Sequence, residues 1–161
     1  MAQVDYFLKI EGVPGESTDD KHKNEIDVLS WSWGETNEGA HGFGGGGGAG
    51  KVSMQDFNFV MNYNKASPKL FLFCATGTHI PKAVLTCRRA GEKQQEYLVV
   101  TFTDLLVSSY QTGGSSGDVI PVDQISLNFT KIEYEYKPQK KDGTLDSPEK
   151  AGYDVKANKK V

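Results

Sequence analysis

Residues 125–136 read ISLNFTKIEYEY, and the phase of their hydrophobic positions decides the fold. Ile125, Leu127 and Phe129 alternate with Ser126, Asn128 and Thr130, the period-two pattern of a strand with one buried face. The apolar set then moves to Ile132, Tyr134 and Tyr136, so the buried face changes over within one unbroken run. The segment YLVVTFTDLLV at 97–107 does the same, with Leu98, Val100 and Phe102 in phase and then Leu105 and Val107. A long strand that changes phase carries a bulge or passes from one sheet to another. Two such strands predict a mainly β chain whose two β-sheets curl into a compact barrel.

The flanking segments fit that frame. VDYFLKI at 4–10 alternates with Val4, Tyr6, Leu8 and Ile10 on one face. EGVPGESTDDKHKN at 11–24 reads as a solvated loop that turns at Pro14 and Gly15. EIDVLSWSW at 25–33 resumes a strand, with Leu29, Trp31 and Trp33 toward the core and Ser30 and Ser32 on the opposite face. KVSMQDFNFVM at 51–61 is another strand, with Phe57, Phe59 and Met61 on one side. SPKLFLFCATG at 67–77 is the one clear helix, with Ser67 as N-cap, Pro68 at the first helical position and Gly77 past the end. Leu70, Phe71, Phe73 and Cys74 form its apolar stripe. A hairpin turning at Gly91 follows, with the phase-changing strand at 97–107 as its second arm. Residues 1–161 thus make one domain, with an extended loop at 34–50 and a polar C-terminal tail at 138–161 in which AGYDV reads as an edge strand.

Bulk properties exclude several function classes. The formal net charge is −3, and Lys and Arg are spread along the chain, so there is no basic face for nucleic acid. The start, MAQVDYFLKI, is not a secretory signal, and no apolar run is long enough to span a bilayer. The chain is expected to be made soluble in the cytoplasm, and any export would need a route other than general secretion. Cys74 and Cys87 lack metal spacing and read as buried free thiols; His22, His41 and His79 are far apart and read as surface or loop residues. No metal or cofactor is expected.

Three catalytic look-alikes fail on context. GFGGGGGAG at 42–50 followed by Lys51 matches a phosphate-binding loop from Gly45 to Lys51. Val52 stands where Ser or Thr would hold magnesium, and strand residues follow where a helix should begin. GGSSG at 113–117 matches a nucleophile elbow at Ser115, yet a strand follows and no histidine lies after it. Asp19 and Asp20 sit together in the charged loop, with nothing to suggest a facing pair in a cleft. No catalytic residue is assigned.

In DYFLKIEGVPGES, EIDVLSWSWG, GGGGGAGKVSMQDFNF, SPKLFLFCATGTHIPKAVLTCRRAG, EYLVVTFTDLLVSSYQTGG and LNFTKIEYEYKPQKKDG, taken in order, the chain resembles the Hcp (haemolysin-coregulated protein) family, which forms the inner tube of the bacterial type VI secretion system. The resemblance implies a two-sheet barrel with one flanking helix and no enzymatic activity. It also implies a homo-hexameric ring, rings stacked into a tube with a spike protein at the tip inside a contractile sheath, export through that system, and small effectors carried in the lumen. On this reading the glycine-rich segment is a loop reaching a neighbouring subunit or ring, with His41 and Phe43 as anchors and Gly44, Gly45, Gly46, Gly47 and Gly48 allowing close backbone approach. Ser30 and Ser32 then become candidates for the lumen surface. The competing reading is a monomeric β-sandwich module that binds a sugar or peptide.

Overall fold

In the computed structural model, residues 4–39, 51–89 and 93–161 are described. The strands are β1 (Val4–Ile10), β2 (Ile26–Asp27), β3 (Ser30–Ser32), β4 (Glu35–Asn37), β5 (Val52–Met54), β6 (Phe57–Asn62), β7 (Ile80–Arg89), β8 (Glu96–Gly113), β9 (Val122–Tyr136), β10 (Glu149–Asp154) and β11 (Lys159–Lys160); one helix, α1, spans Ser67–Thr76. The fold is mainly β with one short helix, as the alternation requires.

The long antiparallel hairpin β8–β9 is the frame. On its other edge β9 pairs with β6 through 122–127 and with β10 through 131–136. On its other edge β8 pairs with β7, which pairs with β1. The segment from Ile26 to Ser32 joins the two sides: β2 pairs with β1, and β3 pairs with β6. Between them Val28 N–H donates to Tyr6 O (3.0 Å) and Leu29 N–H donates to Val60 O (2.8 Å). The hydrogen-bonded path therefore returns on itself, and the two expected layers are halves of one continuous sheet.

Both phase changes are a single event. Asp104 takes φ +48, in the left-handed region, while the pairs Thr103↔Lys131 and Leu105↔Phe129 on either side keep the same register. The two strands turn a corner together, and Thr130 Oγ1 closes it by donating to Thr103 O (3.0 Å). A separate bulge lies between Val107 and Ser109. Phe102, Leu105, Phe129 and Ile132 are buried on either side of the corner, so both halves feed one core.

Several local readings need correction. Ser67 is the first helical residue rather than the cap, which is Ala66. Ser67 Oγ accepts from Asn64 N–H (3.1 Å) and donates to Asp123 Oδ2 (2.6 Å), so a buried β9 carboxylate supports the helix start. Leu70 is buried and Phe73 and Cys74 pack on the core, but Phe71 is 59% exposed. Leu29 is exposed, because the chain crosses from β1 to β6 at that point, while Trp31 and Trp33 pack on the core half-buried. Part of the expected loop at 34–50 is strand: β4 pairs with β5 as a two-stranded arm. The tail contributes β10, which begins two residues before AGYDV, and β11.

The charged loop is not simply solvated. Ser17 and His22 are buried, and the His22 ring stacks 4.4 Å from the Phe7 ring. His22 Nδ1 lies 2.9 Å from Glu25 Oε2 and Nε2 lies 2.6 Å from Glu96 Oε1. Arg88, on β7, is buried and binds both oxygens of Asp19 (3.0 and 2.6 Å) and Asp5 Oδ2 (3.1 Å) over the Phe7 ring. The Arg88 hydrogen bonds hold the Asp19 carboxyl down at about 2. The Asp19 that reads as half of a surface pair is a clamp fastening the loop to the barrel.

Candidate functional site

Antiparallel register places opposite residues on the same face. Two adjacent outward rows run across four strands. The first is Ser32, Asn58, Ser126 and Ser109; the second is Ser30, Val60, Gln124 and Gln111. The row between them points inward and carries Trp31, Phe59, Ile125 and Tyr110, and the next inward row, beyond the first, carries Phe57, Leu127 and Val107. Alternation on each strand thus separates an aromatic core from a polar face. Ser30, Ser32, Asn58, Gln111 and Gln124 are exposed. None of the eight positions carries a formal charge, although 24% of the chain is charged. An outward sheet face in bulk water usually recruits Lys and Glu, so this neutrality marks the face as distinct.

One carboxylate borders the face. Asp56 Oδ2 accepts from Ser108 Oγ (2.6 Å) and Oδ1 accepts from Asn128 Nδ2 (2.8 Å). Asn58 Nδ2 donates to Asp56 O (3.1 Å), and Ser126 Oγ donates to Asn58 Oδ1. The Asn58 amide is therefore oriented from both ends. Asp56 directly precedes β6 and ties the base of the arm to β8 and β9. Ser30 and Ser32 are legible from the local alternation, but Asn58, Gln124 and Gln111 are not. Their own strands alternate clearly, yet only the register brings them beside the serines.

A second feature is a cleft of about 800 Å³ where the arm stands off the barrel. Trp33, Met54, Ile132, Tyr134 and Tyr153 line it, with Glu35 and Asn158 among the polar groups. Trp33 Nε1 donates to Tyr134 OH, fixing one aromatic wall.

Lys51 precedes β5, a strand rather than a helix. Ser115 Oγ donates to Asp118 Oδ2 (3.1 Å) in an exposed turn. His79 lies at the exposed Asp104 corner, its Nδ1 3.0 Å from Oδ1. Both cysteines are free; Cys87 is buried, and burial pushes its thiol up to about 12. Among the described residues no three His, Cys, Asp or Glu side chains are grouped to hold a metal ion, and no helix is long and apolar enough to cross a membrane. His41, Phe43 and Gly44 to Gly48 lie outside the described residues, between the two strands of the arm.

The family profile described as "Type VI secretion system effector, Hcp" matches residues 7–136, from β1 to the end of β9. Protein hcp1 of Pseudomonas aeruginosa is 48% identical over 157 residues, covering 96% of this chain and 97% of its own. The chain belongs to the Hcp family. The crystal structure of Hcp1 from Salmonella typhimurium superposes with a TM-score of 0.80 at 41% identity, covering 99% of this chain and 100% of that one. A structure described as a type six secretion system protein gives 0.91 at 31% identity, covering 98% and 99%. Hcp proteins are structural, secreted components of the type VI tube rather than a family of enzymes. The β10–β11 hairpin of this Hcp lies beyond the residues matched by the family profile.

Proposed function

We propose that this Hcp chain forms hexameric rings that stack into a tube, exported through the type VI system within a contractile sheath and behind a spike protein. The neutral face centred on Ser32 and Asn58 lines the channel and holds small effectors during export. The observation that carries this reading is the placement of Ser30 and Ser32 on an outward face without charge, backed by the aromatic core. Serine is depleted in large protein interfaces, whereas a channel that holds cargo reversibly suits groups that are small and hydrogen-bond adaptably. The arm carries the glycine-rich segment toward a neighbouring subunit or ring.

Negative-stain microscopy and sedimentation of the pure protein test the assembly. Rings are the expected result, and a monomer at tens of micromolar would contradict it. The Ser32→Arg variant should still form rings, since no core residue changes. Its retention of a co-expressed small effector should fall by about tenfold or more, because six bulky charges would enter the channel. Rings that fall apart would put Ser32 in a subunit interface, and unchanged retention would put it in open solvent.

The aromatic cleft at the arm base favours one other reading, a monomeric module that binds a sugar or peptide against Trp33, Tyr134 and Tyr153. The same sedimentation measurement separates the two.

A further inference from the structure

We infer that the neutral face captures polypeptide cargo by hydrogen bonding without regard to the cargo's charge, with Asn58, Gln111 and Gln124 as its principal contacts. This rests on the reading that the face lines the channel. Each of these three side chains is exposed and offers both a donor and an acceptor group. They lie in adjacent rows on β6, β8 and β9, with Ser126 and Ser109 between them. Extended polypeptide presents the same alternation of N–H and C=O whatever its side chains, so amide and hydroxyl ladders recognise backbone rather than sequence. Lys or Glu in these rows would instead select cargo of the opposite sign and repel the rest.

Asp56 is a positioning residue within this scheme. Its two oxygens hold Ser108 and Asn128, and its backbone carbonyl takes one Asn58 N–H. With Ser126 donating to Asn58 Oδ1, the amide has one N–H and one acceptor lone pair left for cargo. Asp56 also sits at the foot of the arm, beside the pairing that holds Gln55 N–H on Gly34 O (2.8 Å). The cargo surface and the arm therefore share an anchor.

The test uses assembled rings and two fluorescein-labelled peptides of about twenty residues with a common Ser-, Asn- and Gln-rich centre, one flanked by Lys and one by Glu, read by anisotropy. Both should bind with Kd values within about threefold of each other, changing by less than about threefold between ~0.05 and ~0.5 M NaCl, because only charge–charge terms are screened. Asn58→Lys should create a preference of about tenfold or more for the Glu-flanked peptide, with strong salt dependence. Asp56→Asn should weaken both peptides equally while rings persist. A bulky maleimide on Ser32→Cys should block both. The inference is overturned if rings form but bind neither peptide, if wild-type rings discriminate by charge about tenfold or more, or if the Ser32→Cys adduct binds normally. A protein that forms no rings would instead overturn the tube reading, which the same micrographs reveal.

Discussion

Arg88→Ala should lower the unfolding free energy by about 3–5 kcal/mol, the usual cost of removing one partner from a buried charge cluster. Arg88 is 2% exposed and is held by Asp19 and Asp5 above the Phe7 ring. Its removal leaves Asp19 and Asp5 without their cation and frees the loop from Glu11 to Asn24 to lift off. For a domain of this size the melting temperature should drop by about 10 °C. Asp19→Asn isolates the electrostatic part. The Asp19 carboxyl is held down at about 2, chiefly by its hydrogen bonds to Arg88. A group whose folded pKa is depressed contributes stability above its unfolded pKa of about 4 and loses it as pH falls through the folded value. The difference in stability between wild type and Asp19→Asn should therefore be full at neutral pH and close between about pH 4 and pH 2. Urea denaturation across that range checks it. A gap that stays constant to pH 2 would mean that Asp19 acts through packing rather than charge.

Phe102→Ala should cost about 3–5 kcal/mol, from lost burial and the cavity left behind. Phe102 is fully buried at the β8 side of the corner, 4.7 Å from the Phe57 ring and 5.1 Å from the Phe129 ring. Trp31 packs against Phe57 and Trp33 against Phe129, so both tryptophans of β3 and its flank reach the core through Phe102. Denaturant unfolding followed by tryptophan fluorescence reads both the stability and the loosened indoles. Loss below about 1 kcal/mol would show that the core collapses to fill the gap and that the corner does not depend on this ring.

The corner also shows what the sequence could carry. The changes of phase after Phe102 and after Phe129 are plain in the alternation, because each depends on residues a few positions apart. That they are one corner, with Asp104 left-handed, depends on a register between strands that alternation does not specify. The same limit explains the loop of residues 11–24. Its Asp19 meets Arg88 and its His22 meets Glu96, partners about seventy positions away, so local polarity reads as a solvated turn. Ser30 and Ser32 were legible because Trp31 and Trp33 fix the phase beside them. Asn58, Gln111 and Gln124 were not, since nothing local places three strands side by side. The helix was legible from Pro68 and Gly77, but its start is supported by Asp123 of β9, a tertiary contact that shifts the cap by one residue.

Cryo-microscopy of the assembled protein, at a resolution that shows side chains, tests the central claim most directly. The expected map has a ring of six subunits with Ser30, Ser32, Asn58, Gln111 and Gln124 on the channel wall and the Arg88–Asp19 clamp away from it. A map that places these five residues on the outer wall, or presses them against a neighbouring subunit, would contradict it.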